Sequence, residues 1–237
     1  MRHLITGTGR CGTVFLARLL THLGVPCGHE TIFDWHGLEM ARRRLSGQEP
    51  LQLSHCSTNI FVSGVWAPIP GWLNDVYSIQ AESSYMAAPF LNDECLKDTT
   101  VVHVMRNPIR VVNSFCNHLD YFKQSCPSNK YEEFIYKHLP ELRQEIPQYD
   151  RACLFYVRWN EMIVGHYRYR IEDDPSKLIE FLGLNGEPIQ DKDINSVKKV
   201  GAKLFALQDI KSREIQDEFV NLGRRYGYPM RSEYLLI

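Results

Sequence analysis

A glycine-rich turn between an apolar run and a helical pattern carries the clearest chemistry in this sequence. Residues 4–6 are strand-like, Gly7, Gly9 and Gly12 follow them, and residues 13–20 place apolar side chains at helical spacing. A strand that ends in glycines and opens into a helix directs backbone N–H groups and the positive end of the helix dipole at one point. The pattern therefore predicts a site for a phosphate-like anion.

The turn fits two known phosphate-binding patterns only in part. Its three glycines match the dinucleotide fingerprint G-x-G-x-x-G, and Glu30 stands about 20 residues on, where that fold places its ribose-binding acid. A Walker A loop needs lysine and then a hydroxyl after its last glycine, but Thr13 and Val14 occupy those places, which disfavours a kinase or ATPase. Arg10 among backbone donors suits an anion held without metal. We interpret the turn as a site for a sulfated or phosphorylated nucleotide.

A second junction of strand and helix presents an arginine and a serine. Residues 101–105 predict a strand that ends at Arg106, and the Asn-Pro pair after it predicts the start of a helix. Ligands of open α/β sheets bind at this end of the strands. Ser114 would lie about two turns into the helix, with His118 as its i+4 neighbour on one face. Arg106 and Ser114 could bind one phosphate together, the alternative being two solvated surface side chains.

Together these motifs resemble those of the sulfotransferase family that uses 3'-phosphoadenosine 5'-phosphosulfate (PAPS). Its 5'-phosphosulfate loop is similar to residues 9–13, and its 3'-phosphate motif is similar to residues 106–108 followed by Ser114. Its late strand and helix are similar to residues 169–175 and 178–184. Three motifs in the same order over most of the chain make the resemblance specific, and the branch that the chain resembles is the bacterial and tyrosylprotein-sulfotransferase-like one.

The resemblance implies a role for each matching residue. The residues that would bind the 5'-phosphosulfate are Arg10, Cys11, Gly12, Thr13 and Val14. Arg10 would also stabilise the charge on the leaving phosphate as the S–O bond breaks. Arg106 and Ser114 would bind the 3'-phosphate. A late basic contact to the nucleotide would come from Lys198 or Lys199, with Lys199 favoured and a solvated lysine pair as the alternative.

Three positions depart from the family's pattern. Cys11 stands where serine is usual and Val14 where a second threonine is frequent, so two hydroxyl donors are missing. Ile171 replaces the tyrosine that commonly precedes the glutamate of the late strand. Backbone N–H groups can still hold an anion. The departures nevertheless leave open a sulfotransferase-like nucleotide-binding protein without activity.

The resemblance also implies a general base. In sulfuryl transfer the acceptor hydroxyl must lose its proton as it attacks sulfur, and a nearby carboxylate can take it. Tyrosylprotein sulfotransferases and many bacterial relatives carry a glutamate in a Cys-Gly-x-Glu or Gly-His-Glu context, and Glu30 matches both. Glu30 is the expected base, with His29 as competitor or orienting neighbour and a capping or surface carboxylate as the alternative. Since Gly24 and Pro26 break the preceding helix, this segment should return beside the glycine-rich turn.

The implied function is transfer of the sulfuryl group from the co-substrate PAPS to a hydroxyl or amine of a small-molecule or glycan acceptor. A Rossmann-type NAD(P)-dependent oxidoreductase, supported by the glycine spacing and Glu30, is the alternative enzyme. Acceptor pockets are built from variable loops, so a sugar, a lipid, a phenol and a peptide tyrosine are not distinguished. The irregular run 66–72, with tryptophans at both ends, could line such a pocket or pack on the core.

Length and composition predict one α/β domain over residues 1–237, with 44% hydrophobic residues to build a core. With the motifs, they predict a P-loop-like, three-layer α/β/α fold around a mostly parallel sheet. The formal net charge of −1 disfavours nucleic acid or a membrane surface as partner. No apolar stretch approaches the roughly 20 residues of a membrane span, and the first residues lack a signal-peptide pattern. A soluble, cytoplasmic protein is expected, with its oligomeric state left open.

Cysteine and histidine spacing favours neither disulfides nor a metal. The seven cysteines include no C-x-x-C pair, which is typical of reduced thiols. His22, His29 and His36 recur every seven residues, but Gly24 and Pro26 interrupt any continuous helix through them. We therefore predict no metal site.

The remaining patterns predict several further elements. Residues 59–66 favour a strand, and residues 82–90, 130–143 and 152–164 favour helices. The aromatic residues of the last helix, at three- to four-residue spacing, are typical of a core.

Overall fold

The computed structural model describes residues 1–51, 59–62, 65–68, 79–189 and 205–230, with the backbone alone for 59–62 and 65–68. The chain divides into two compact units. The first comprises Met1–Met105 and Ile163–Ser196, and the second comprises Arg106–Met162 and Val197–Ile237. The single domain predicted over residues 1–237 stays a prediction.

The strands of the described residues all belong to the first unit. They are β1 (His3–Thr6), β2 (Cys27–His29), β3 (Asn59–Val62), β4 (Val65–Pro68), β5 (Ala81–Ser83), β6 (Thr100–Met105) and β7 (Tyr167–Arg170). Five of them form one parallel sheet in the order β2-β5-β1-β6-β7. The central strand β1 is buried along its whole length, as expected of a parallel strand covered on both faces.

The α-helices of the described residues are α1 (Thr13–His22), α2 (Leu38–Leu45), α3 (Pro108–Asn113), α4 (Lys130–His138), α5 (Gln148–Glu161), α6 (Ser176–Phe181) and α7 (Arg213–Arg225). Short 3₁₀ helices occupy Tyr85–Phe90, Glu94–Leu96, Pro140–Arg143 and Leu207–Asp209, and Ser114–His118 forms a π-helical turn. Within the described residues no helix is long and apolar enough to cross a membrane.

Alternating side chains of the sheet form two separate hydrophobic layers in the first unit. Ile5 packs in a cluster with residues of α1 and α6, whereas Leu4 packs in another cluster with Ala41 of α2 and Ala87 of the 3₁₀ helix. Neighbouring residues of a strand point to opposite faces, so helices cover both sides of the sheet. The predicted three-layer α/β/α fold is confirmed.

The second unit is helical and aromatic. Phe155 and Trp159 of α5 are buried and their rings lie 5.3 Å apart, which confirms the core interpretation of this spacing. Arg151 of the same helix is buried and donates to the carbonyl oxygens of Leu142, Phe122 and Gln144. A buried guanidinium is tolerated because each of these bonds satisfies a donor.

Two predicted elements differ from the structure because strand pairing overrides local propensity. Residues 82–90 are not one helix, since Ala81–Ser83 pairs with strands on both sides as β5 and only Tyr85–Phe90 is helical. Residues 59–66 are not one strand but belong to the antiparallel pair β3 and β4.

The other two predicted helices have shifted bounds. The helix predicted over 130–143 ends at His138, because the residue before Pro140 is restrained from helical geometry, and a 3₁₀ turn follows. The helix predicted over 152–164 begins earlier, at Gln148 directly after Pro147, and ends at Glu161.

Candidate functional site

The loop between β1 and α1 has the predicted strand–turn–helix form, and two of its glycines are required by the backbone. A Cβ on Gly7 would lie 2.2 Å from the carbonyl oxygen of Val104 and 2.8 Å from Sγ of Cys11. Gly12 has a φ of 104°, a left-handed conformation that favours glycine. Arg10 adopts a left-handed φ of 68° without being glycine, a strain typical of functional loops.

The amino terminus of α1 has no side-chain cap among the described residues and no acidic residue in its first turn. Its N-cap is Gly12. The first amides of a helix have no intrahelical acceptor, and the helix dipole adds partial positive charge there. This helix start can therefore hold a phosphate or sulfate group.

The structure shows where the three residues lie that depart from the pattern of the resembled family. Cys11 is fully buried in the cluster that contains Phe15 and Leu16, so only its backbone could contact a ligand. Val14 is half-buried. Ile171, which the sequence marked only as a replacement, packs on the loop, since a Cβ on Gly12 would lie 2.6 Å from its Cγ1.

The end of β2 reaches the start of α1, as predicted. Nε2 of buried His29 lies 3.1 Å from Oγ1 of Thr13. Burial and then the positive charge of Arg10 lower the pKa of His29 to about 4. His29 is therefore neutral at pH 7 and a weak proton acceptor, which favours an orienting role over that of base.

Glu30 follows β2 directly and is half-buried. It has a left-handed φ of 52°, and its N–H donates to the carbonyl oxygen of Ser83 at 3.4 Å. Burial, and then the charges of Glu82 and Asp34, raise the pKa of its carboxyl to about 8, while Arg10 opposes the rise. A carboxyl that exchanges its proton near neutral pH suits general acid–base catalysis. The first unit thus brings together Arg10, His29 and Glu30.

A network of charged and polar side chains next to Glu30 was missed by the sequence analysis. Oδ2 of Asp34 contacts Nη2 of Arg44 at 3.0 Å and Nδ1 of His36 at 2.8 Å. The fully buried Glu82 accepts a backbone N–H from Thr31 at 2.7 Å. No local signal could reveal Glu82, because its segment was predicted as a helix and its partners are far away in sequence.

In the second unit, the predicted helix start at Arg106 is confirmed. The side chain of Asn107 caps α3 by accepting the N–H of Ile109 at 3.0 Å, and Pro108 occupies the first turn. The carbonyl oxygen of Arg106 accepts a hydrogen bond from Oη of Tyr156 at 3.2 Å. The strand–Arg–Asn–Pro–helix arrangement expected from the motif is therefore present.

Ser114 departs from its predicted helical position. It is buried and begins the π-helical turn Ser114–His118, whose wider geometry is marked by the Leu119 N–H bonding the Ser114 carbonyl oxygen at 3.1 Å. Ser114 and His118 therefore lie in a π-helical rather than an α-helical turn, and their predicted position on one face stays a prediction. Such π turns are frequent at functional sites.

Two sequence-based expectations fall outside what the structure describes. Lys198 and Lys199, the candidates for a late nucleotide contact, lie in the segment 190–204, which is not among the described residues. The same holds for Trp72 and the side chain of Trp66 in the candidate acceptor loop.

The described residues include no candidate metal site and no disulfide. In the described ranges no group of three or more His, Cys, Asp or Glu side chains could hold a metal ion. The cysteines with described side chains, which are Cys11, Cys27, Cys95, Cys116, Cys126 and Cys153, are all free thiols.

The fold and the loop define a three-layer α/β/α protein with a glycine-rich turn between its central strand and first helix. A scan against protein-family models finds no match to the chain. A search of curated proteins finds no significant match either.

Proposed function

We propose that this protein is a PAPS-dependent sulfotransferase that moves a sulfuryl group to a hydroxyl or amine acceptor. One observation carries the proposal: the uncapped start of α1 contacts His29 through Thr13, and the next residue, Glu30, interacts with Arg10 and has its carboxyl pKa raised to about 8. An anion-binding helix start next to a proton acceptor is what transfer from a phosphosulfate requires. The motif resemblance supplies the identity of the nucleotide.

PAPS, when bound, supplies a sulfuryl group attached to phosphate through a bridging oxygen. Deprotonated Glu30 accepts the acceptor's proton as the acceptor oxygen bonds to sulfur. The bond between sulfur and the bridging oxygen breaks, and its electron pair stays on the phosphate. Arg10 and the backbone amides of Gly12 and Thr13 stabilise that charge. His29, neutral and bonded to Thr13, orients the start of α1 beside Glu30.

Two alternative functions receive less support. In the usual dinucleotide-binding fold the strand after the first helix pairs directly with the first strand. Here β5 lies between β1 and β2, which disfavours an NAD(P)-dependent oxidoreductase. A nucleotide-binding protein without activity has no need of Glu30 beside the loop, in a left-handed backbone conformation with a φ of 52°.

A thermal shift measurement tests the nucleotide. We expect adenosine 3',5'-bisphosphate at 100 times its dissociation constant to add about 2.7 kcal/mol of stability, which raises the melting temperature. NAD and Mg-ATP should give no comparable shift, and Arg10→Ala should reduce the shift given by the bisphosphate. Stabilisation by NAD but not by the bisphosphate would favour the oxidoreductase.

Arg106→Ala tests the assignment of the 3'-phosphate, which comes from the motif. We expect it to weaken binding of adenosine 3',5'-bisphosphate much more than binding of adenosine 5'-phosphosulfate, because only the former carries a 3'-phosphate. The exposed Arg110 of α3 gives the matched control, since Arg110→Ala removes the same charge. Isothermal titration calorimetry measures the affinity of the Arg106→Ala variant for both ligands. Equal losses of affinity for the two would show that Arg106 has another role.

Cytoplasmic location and a small-molecule or glycan acceptor are part of the same proposal. The net charge of −1 disfavours a nucleic-acid partner, and we expect the acceptor to be recognised by a local pocket. Incubation with labelled PAPS and a panel of hydroxyl and amine compounds tests the reaction directly. Label transfer together with release of the bisphosphate supports it, and bisphosphate binding without transfer to any compound favours the inactive alternative.

A further inference from the structure

Glu82 is a fully buried carboxylate at the middle position of β5, where the mechanism makes no use of it. Its neighbours in register are Leu4 on β1 and Gly28 on β2. Burying a carboxylate is unfavourable unless hydrogen bonds compensate. The contacts of Glu82 therefore indicate what it holds in place.

Three consecutive backbone amides converge on one oxygen of Glu82. Its Oε1 accepts the N–H groups of Thr31 at 2.7 Å, Ile32 at 2.9 Å and Phe33 at 3.4 Å. Successive amides pointing at one anion form a nest, which fixes the conformation of the turn they belong to. The turn held in this way is the one that follows Glu30.

The carbonyl groups of the same turn are held as well. Oγ of Ser84 donates to the carbonyl oxygen of Phe33 at 2.8 Å, and Nη1 of Arg44 donates to that of Ile32 at 3.0 Å. On the other side of Glu30, the carbonyl oxygen of Ser83 accepts the Glu30 N–H. Residues of β5 and its end therefore fix the backbone both before and after Glu30.

The second carboxylate oxygen of Glu82 accounts for the glycine at position 28. A Cβ at position 28 would lie 2.4 Å from Oε2, so glycine is needed for the carboxylate to fit. Among the described residues Oε2 is buried and has no hydrogen-bond partner. Burial raises the pKa of Glu82 to about 7, although the three amides and Arg44 lower it.

We propose that Glu82 is a positioning residue, which holds the amides of residues 31–33 and thereby fixes the Glu30 side chain beside the loop that precedes α1. The effect of this positioning on catalysis rests on the proposed function. Glu82 contacts neither nucleotide nor acceptor in this scheme. It acts through the backbone that carries Glu30 and through its charge.

Several titratable groups surround Glu82 and Glu30. Arg44 of α2 and the thiol of Cys27 in β2 interact with Glu82. Glu30 interacts with Glu82, Asp34 and Arg10. The negative charge of Glu82 makes deprotonation of Glu30 harder, so replacing Glu82 by a neutral residue should lower the Glu30 pKa.

Glu82→Ala removes the acceptor of the three amides, and Glu82→Gln keeps it. We expect Glu82→Ala to lower kcat by ~100-fold through displacement of the base, while bisphosphate affinity changes little. Glu82→Gln should restore most of kcat. Glu132 is the matched control, because it is also buried and accepts backbone amides of Phe122 and Ser128, but in the second unit. Glu132→Ala should destabilise the protein without this selective loss of kcat.

A second measurement does not depend on activity or on the folding of the alanine variant. Carbon-13 NMR of glutamate-labelled protein, with Glu30→Gln for assignment, should show a lower Glu30 pKa in Glu82→Gln than in the wild type. An unchanged Glu30 pKa would overturn the proposal, as would full kcat in Glu82→Ala or an equal loss of nucleotide affinity. If the Glu30 pKa falls but the wild type transfers no sulfuryl group, the proposed function fails while the link between Glu82 and Glu30 stands.

Discussion

Glu30→Gln should lower turnover by ~100-fold or more while binding of adenosine 3',5'-bisphosphate stays nearly unchanged. Glutamine keeps the shape of the side chain and can still hydrogen bond, but it cannot accept the acceptor's proton. His29→Ala should cost less, because burial and Arg10 lower the pKa of His29 to about 4 and make it a weak base. Steady-state kinetics with calorimetric titration of the bisphosphate measures both effects.

If Glu30 is the base, its raised pKa also predicts the direction in which kcat/KM changes with pH. The Glu30 pKa is raised to about 8, so the carboxyl is mostly protonated, and inactive as a base, below that pH. For the wild type kcat/KM should rise about tenfold per pH unit below this pKa and level off above it. Glu30→Gln should lose this rise.

Exposed Glu39 of α2 provides the control, since Glu39→Gln removes the same charge at a side chain that is 78% exposed. Its turnover and pH profile should match the wild type. A nearly silent Glu30→Gln with a severely impaired His29→Ala would transfer the role of base to His29. Loss of nucleotide binding or of folded protein in Glu30→Gln would show that the carboxylate is structural.

Gly7→Ala should destabilise the protein by about 3 kcal/mol, because its Cβ has no space. The clash is with backbone, since the added atom would lie 2.2 Å from the carbonyl oxygen of Val104 on the neighbouring strand. Relief requires the loop to move away from β6, so anion binding at the start of α1 should weaken as well. Chemical denaturation and bisphosphate titration measure these effects.

Gly24→Ala separates loss of space from backbone strain. Gly24 has a left-handed φ of 82°, but no atom lies within 4 Å of a Cβ placed there. Its replacement should cost about 1 kcal/mol, from the left-handed conformation alone. Equal destabilisation in the two variants would mean that Gly7 is required for its backbone freedom rather than for the approach of β6.

The parts of the fold that sequence predicted are those governed by local chemistry. The junction of β1, loop and α1 follows from glycines and helical spacing, and Asn107 with Pro108 defines the start of α3. The return of His29 to the loop was expected from chain breaks at Gly24 and Pro26. In each case a few neighbouring residues determine the geometry.

What sequence could not predict depends on contacts between distant residues. Ala81–Ser83 is a strand only because β1 and β2 pair with it on either side. Glu82 meets the amides of Thr31 and Ile32 across about fifty positions of sequence, so no local pattern carries that contact. The raised pKa of Glu30 follows from this long-range packing.

The strand order also constrains how the molecule folds. Because β5 separates β1 from β2, the segment that carries β1, α1 and β2 leaves both strands without a shared partner until the later strand has been synthesised. Pairings between such distant segments form slowly, since loop closure must precede the contacts that stabilise it. The glycine-rich turn between β1 and α1 is local and can be organised early. The segment after β2, which carries Glu30, acquires its hydrogen-bond partners only when β5 joins the sheet, so the two sides of the candidate site are organised at different stages of folding.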